Sequence, residues 1–272
     1  MRPLREKRNV MVQKQPSLTF LATNTAKAQN ALTQMRTQYD DVGFDQADII
    51  IALGGDGTML DTLHKIYSVD HCQLSRPIYG MNCGSVGFLM NPYNPDNLLQ
   101  RINNAQSVGV YPLHMQATDI HSQTHQALAF NEVSLFREKR QAAKLKITVD
   151  GKTRMNELTC DGALLSTPLG STAYNFSAGG PIIPLDGNVF ALTPISPFRP
   201  RRLRSALLHK KSKVEIEVLN PQNRSVSVAA DSTEIRDVIS VQIQQSDCTA
   251  CPLLFDPDHN LQERIMAEQF TV

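Results

Sequence analysis

The chain has no excess of either charge. Its 272 residues include 27 Lys or Arg and 26 Asp or Glu, a net charge of +1. No global field therefore argues for nucleic acid or an anionic membrane surface as a partner, and an anionic ligand has to be held locally. No apolar stretch approaches the ~18 residues that span a bilayer, which argues against a membrane protein. Cysteines are few, five in all, and odd in number; scattered through a chain of this length, they do not read as a disulfide framework and suggest a reducing compartment. Cys248 and Cys251 form one CxxC, but no second Cys/His pair completes a structural zinc site. The basic start, MRPLREKRNVMVQKQP, is followed by only about six apolar positions around Leu18 to Ala22, too few for the core of a secretory signal. A soluble, cytoplasmic protein is expected. Internal repeats and low-complexity linkers are missing too, while 41% apolar residues suffice for real cores and exclude disorder as the dominant state.

What is present falls into two rhythms. From Ser17 to about Leu113, short apolar runs alternate with helical periods. SLTFLAT reads as a strand; Ala28, Leu32, Met35 and Tyr39 then recur at helical spacing behind an Asn24 or Thr25 cap. DIIIAL (48–53) is a strand apolar on both faces, and Met59, Leu60, Leu63 and Ile66 mark the next helix. RPIYGMN gives a third strand, and Asn94-Pro95 opens a third helix with Leu98, Leu99 and Ile102. This order predicts an α/β unit with a parallel, Rossmann-like sheet whose ligands gather at the carboxyl ends of the strands. Beyond Leu113, strands such as KLKITV and KTRMNEL, joined by the Asp150-Gly151 turn, and KVEIEVL, RSVSVAA and VISVQIQ alternate as in an antiparallel β sandwich. The expected division is an α/β domain over 1–113, a β-sandwich domain over 114–254, and a segment 255–272, helical over Asn260–Phe270, that packs back on the first domain, with the site in the cleft between the two.

The stretch ALGGDGTML (52–60) closes a strand in glycines with one carboxylate among them. Gly54, Gly55 and Gly57 leave backbone N–H groups open to a ligand, and the helix that follows turns its positive end the same way. Read by itself, this is a phosphate cradle or a turn with Asp56 as cap. Neither G-x-x-x-x-G-K-[ST] nor G-x-G-x-x-G occurs. A carboxylate beside phosphates suits two tasks: accepting a proton from an attacking hydroxyl, or helping to hold Mg²⁺. NCGSVGFL (82–89) could line the same cleft. In the β half, Asn131-Glu132 interrupts the apolar strand ALAFNEVSLF. TCDGALLSTPLGSTAYNFSAGGPIIP (159–184) holds more turn and hydroxyl chemistry than a sandwich connection requires: Ser171, Thr172 and Ser177 can hydrogen-bond a polar ligand, and Tyr174 can cover a ring. Asp231 either completes a ring of carboxylates or starts a turn with Ser232.

GGDGT at 54–58, Asn-Glu at 131–132 and TPLGSTAYNFSAGGPI at 167–182, in this order, resemble the ATP-dependent NAD kinases over roughly residues 17–256. GGDG alone is shared with phosphofructokinases and with diacylglycerol and sphingoid lipid kinases; the long third motif is the specific one. The resemblance implies transfer of a phosphoryl group from ATP, or from polyphosphate in some members, to the 2′-hydroxyl of NAD's adenosine ribose, with Mg²⁺ or a similar divalent ion. It further implies Asp56 as proton acceptor, with Gly54, Gly55, Gly57 and Thr58 at the phosphates. Gly57, Asn131, Glu132, Asp161, Thr172, Ala173, Tyr174, Ser177 and Ser196 are then the NAD contacts, alongside Asp56, and the assembly a homodimer or homotetramer. Metal ligands are not implied. Asp231-Ser232 departs from the Asp-Gly that the family usually carries late in the β domain. A lipid kinase would want an apolar acceptor pocket where TPLGSTAY offers hydroxyls and a ring, and a non-catalytic NAD(P) sensor would have lost the carboxylate that Asp56 retains. RPRRLR (199–204) lacks the interleaved aromatics of a nucleic-acid patch.

Overall fold

The computed structural model describes residues 15–68, 75–84 and 87–258. Three parallel strands, β1 (Leu18–Ala22), β2 (Ile49–Gly54) and β3 (Ile78–Asn82), follow one another from one edge of the α/β sheet, with Leu18 opposite Ile49 and Ile50 opposite Ile78. All of β2 is buried, as expected of a strand covered on both faces. The short β4 (Asn91–Pro92) adds to β3. The chain comes back from the β half as strand Cys251–Phe255, which runs parallel to β3 and antiparallel to the edge strand β5 (Gln106–Val110). The sheet is thus mixed: the returning strand sits between β3 and β5, and β5 runs against it. The helix expected over Asn260–Phe270 lies outside the described residues.

Helix α1 (Ala26–Gln38) starts at Thr25, whose hydroxyl accepts the Ala28 N–H at 3.3 Å. It buries Ala28, Ala31 and Met35, while Tyr39 has already left the helix and its hydroxyl donates to the Pro95 carbonyl at 2.9 Å. Helix α2 (Asp56–Ile66) buries Met59, Thr62, Leu63 and Ile66. Helix α3 (Leu98–Asn104) begins later than Asn94-Pro95 suggests. Asn94 instead folds its side chain back to the Asp96 N–H at 2.9 Å, and Asn97 takes a left-handed φ of 54° before the helix starts.

The β half is two six-stranded antiparallel sheets. One carries Ala143–Val149, Val214–Val218, Val238–Gln245 and Leu113–Asp119 in its middle; the other carries Val189–Ile195, Gly162–Ser166, Glu132–Arg137 and Val226–Ala230. Their alternating inward residues, among them Met115, Leu145, Val133, Leu165, Val228 and Val241, make one core. The Asp150-Gly151 turn has φ of 52° and 73°, as a two-residue hairpin requires. ALAFNEVSLF is not one strand. It is Thr124–Ala129 in the first sheet and Glu132–Arg137 in the second, and the chain changes sheets at Phe130-Asn131.

The two halves share a second core in which Met59, Leu63, Ile66 and Tyr67 of α2 and its C-terminal cap meet Leu128, Phe130 and Leu169. Among the described residues no helix is long and apolar enough to cross a membrane. Cys83, Cys160, Cys248 and Cys251 are free thiols. Burial pushes the Cys251 thiol up to about 12, and it donates to the Arg76 carbonyl, so the CxxC serves packing.

Candidate active site

The loops after β1 and β2 meet at one groove. Gly54, Gly55, Gly57 and Thr58 line it together with Thr23, Thr25, Asp61, Cys83 and Gly84. Helices α1 and α2 both begin at this groove, so the positive ends of two helix dipoles face it. A side chain on Gly55 or Gly57 would meet no protein atom within 4 Å, so these glycines keep the groove clear and do not make room for packing. Lys27 reaches the groove rim, where its ammonium donates to the Gly84 carbonyl at 3.4 Å.

Asp56 stands at the first position of α2. Its Oδ2 accepts the Phe88 N–H at 2.8 Å and its Oδ1 the Leu89 N–H at 2.9 Å. The loop after β3 therefore aims the carboxylate. Only glycine fits at 87, because a Cβ there would stand 2.7 Å from Asp56 Oδ1.

In the β half the sheet change at Phe130-Asn131 leaves three successive backbone N–H groups without a ladder partner, and one carboxylate collects them. Asp231 Oδ2 accepts from Phe130 at 2.7 Å, and Oδ1 from Asn131 at 3.0 Å and Glu132 at 3.3 Å. Sequence reasoning left Asp231 open; its role is to cap a strand crossover, which no local pattern around VAADST announces. Asn131 gives its carbonyl to the Thr167 N–H at 2.9 Å, and Thr167 Oγ1 donates to the Phe130 carbonyl at 2.6 Å. The TPLG turn is thus strapped to the Asn131-Glu132 segment.

Glu132 follows with a buried Oε2 that has no hydrogen-bond partner. Burial, and secondarily the nearby Asp231 carboxylate, raises its acid to about 7. Tyr174 opens the short turn Tyr174–Ser177, is 37% exposed, and leans on Phe136 at 5.6 Å between ring centroids. Burial raises its phenol, with Glu132 and Asp161 adding to the shift. Asp161 pairs with Arg137, and its N–H donates to the Ile195 carbonyl at 3.0 Å, which puts the exposed Ser196 beside it. Thr172 and Ala173 are half-buried and Ser177 is exposed.

Ser171, read from the sequence as a candidate ligand contact, is structural. It is buried, donates to the Pro168 and Ile183 carbonyls and accepts the Ile183 N–H at 2.9 Å. The buried Asn175, which sequence reasoning passed over, ties Ser171 and Pro181 carbonyls together and accepts from Thr193 at 2.6 Å. The hydroxyl-rich motif therefore divides into a buried frame, Thr167, Ser171 and Asn175, and an open face, Thr172 to Tyr174 and Ser177.

A glycine turn at the carboxyl end of a parallel strand, joined through a shared core to a β sandwich with a buried, unpartnered carboxylate oxygen, fits a two-domain phosphotransferase. The chain matches the models of the ATP-NAD kinase N-terminal domain over residues 6–107 and C-terminal domain over residues 130–249. It is 53% identical over 264 residues to an NAD kinase of Caulobacter vibrioides, covering 96% of this chain and 100% of that one. An NAD kinase of Rhizobium meliloti is 52% identical over 261 residues, with the same coverage of 96% and 100%. Two solved structures share the fold. A yeast NADH kinase complexed with NADH superposes with a TM-score of 0.79 at 20% identity, over 94% of this chain and 88% of that one. An NAD kinase from Archaeoglobus fulgidus in complex with ATP gives 0.67 at 24%, over 92% and 98%. The chain belongs to the NAD kinase family.

Proposed function

We propose that this protein transfers the γ-phosphoryl group of ATP to the 2′-hydroxyl of the adenosine ribose of NAD, producing NADP. The observation that carries the reading is Asp56 at the start of α2, its carboxylate held by two backbone N–H groups and its chain neighbours Gly55 and Gly57 lining the groove. In this reading Gly54, Gly55, Gly57 and Thr58 receive the phosphates. Asn131, Glu132, Asp161, Thr172, Ala173, Tyr174, Ser177 and Ser196 hold NAD, with Asp56 and Gly57 beside its reacting ribose.

A ribose hydroxyl is a poor nucleophile. A carboxylate oxygen has two lone pairs, so Asp56 can accept one N–H bond on each oxygen and still take the hydroxyl proton. General-base assistance of this kind contributes about 10²- to 10⁴-fold. The larger part comes from holding the hydroxyl in line with the phosphorus while backbone donors spread the developing charge.

A divalent ion would neutralise charge on the β- and γ-phosphates. The described residues contain no group of three His, Cys, Asp or Glu able to cage a metal. Asp61, which lines the groove, is a donor that fits Mg²⁺ arriving on the nucleotide with waters of its own. We place the α/β domain at 1–113 and the β domain at 114–250, with Cys251–Phe255 returning to the α/β sheet. The free thiols support a cytoplasmic setting, and the proposed assembly is a homodimer or homotetramer.

Asp56→Asn keeps the shape of the side chain and removes the base. With ATP, Mg²⁺ and NAD, kcat is expected to fall about 10²- to 10⁴-fold while NAD binding by calorimetry stays within about threefold. Unchanged turnover would remove Asp56 from the chemistry.

A further inference from the structure

The imidazole of His64 lies two turns beyond Asp56 on α2, about 12 Å along the helix. Its Nε2 is 2.8 Å from Asp231 Oδ2, with the two side chains 27% and 5% exposed. The same Oδ2 accepts the Phe130 N–H, and Oδ1 accepts from Asn131 and Glu132. A carboxylate that already collects three donors takes a fourth, so Nε2 carries the proton. Asp231 is in turn fixed to the crossover by its own N–H, which donates to the Glu132 carbonyl at 3.2 Å. Phe130 meets the His64 ring edge-on at 5.4 Å and the Tyr67 ring at 5.7 Å.

From this geometry we infer that His64 is a positioning residue: through Asp231 it fixes the register between the helix that carries Asp56 and the segment that carries Asn131 and Glu132. The inference rests on the phosphotransfer reading above. His64 itself lines neither the glycine groove nor the Tyr174 face, and its polar partner is protein. The apolar contacts of Leu63, Ile66 and Tyr67 with Phe130 and Leu169 hold the halves together, but burial of this kind has no direction. The hydrogen bond to Asp231 is directional and bears on the backbone of residues 130–132. Losing it leaves the halves packed and their register loose, and a misplacement of about 1 Å at a reacting pair costs on the order of 10²-fold.

The test is steady-state kinetics on the full chain. His64→Leu is expected to lower kcat about 10- to 100-fold with KM for NAD and for ATP within about threefold, because each half still binds its own substrate. His64→Gln, whose amide can donate to Asp231, is expected to return most of the lost kcat. If the leucine variant does not fold, His64→Asn, polar but too short to reach Asp231, takes its place with the same expectation. A kcat within about twofold of the parent overturns the inference. Equal loss in the glutamine and leucine variants, tracking a common fall in melting temperature, also overturns it, since the role would then be stability alone. A parent that makes no NADP in the same assay overturns the phosphotransfer reading and this inference with it; an active parent with an indifferent His64 overturns this inference only.

Discussion

A methyl group on Gly170 would stand 2.3 Å from the Asn131 carbonyl oxygen and 2.5 Å from its Cα. Both are backbone, so neither can swing aside, and Gly170→Ala has to push the TPLG turn away from the sheet crossover. We expect a cost of about 1–3 kcal/mol in denaturant unfolding together with a raised KM for NAD; an unchanged KM would separate the turn from the substrate. Glu132 makes a different demand. Its ordinary value is 4.5 and its folded value about 7. Between these the unfolded chain releases the proton while the folded chain retains it, so this residue lowers stability as pH rises from about 4.5 to 7 and adds no further slope above. Glu132→Gln removes the titrating group, and its unfolding midpoint is expected to gain on the parent across that window and run parallel to it beyond. Parallel curves throughout would contradict a raised Glu132. At this scale the sequence singled out Asp56, Asn131, Glu132 and Tyr174 as candidates, because each is a polar or aromatic group where a turn or an apolar strand does not need one. Asp231 was left open and His64 escaped it, since the two lie 167 residues apart and neither sits in a pattern with a period.

Helix α2 joins the scales. Its N-terminus carries Asp56, its buried face carries Leu63, fully inaccessible, and that face packs on both halves of the molecule. Leu63→Ala is expected to cost about 2–5 kcal/mol, read as a shift in denaturant midpoint, because the cavity opens between two sheets that cannot both collapse into it. A loss under about 1 kcal/mol would mean that the shared core is not a joint. The helices and the parallel strands were legible from apolar spacing alone. The break in ALAFNEVSLF was not, because a strand that changes sheets keeps its alternation and its composition; only the fate of the Phe130, Asn131 and Glu132 N–H groups distinguishes it. The late start of α3 was hidden for a similar reason: Asn94-Pro95 signals a turn as well as a cap, and here the turn comes first.

Over the whole molecule, the α/β unit and the β sandwich were readable from the change of rhythm near Leu113. The mixed sheet was not, because the strand Cys251–Phe255 that completes it comes from 141 to 149 residues beyond its partners in β5, Cys251 lying opposite Val110 and Phe255 opposite Gln106. This return ties the two units together, and α2 links the glycine groove, where it begins, to the crossover that Asp231 caps, which it reaches through His64. The central claim is that this arrangement phosphorylates one hydroxyl of NAD. The most direct measurement incubates the purified protein with NAD, Mg²⁺ and ATP labelled in its γ-phosphate, and locates the label in the product by phosphorus NMR and by an NADP-specific dehydrogenase. Label on the 2′-position of the adenosine ribose, lost with Asp56→Asn, is the result predicted; label on a lipid acceptor alone, with NAD neither bound nor modified, would contradict the account.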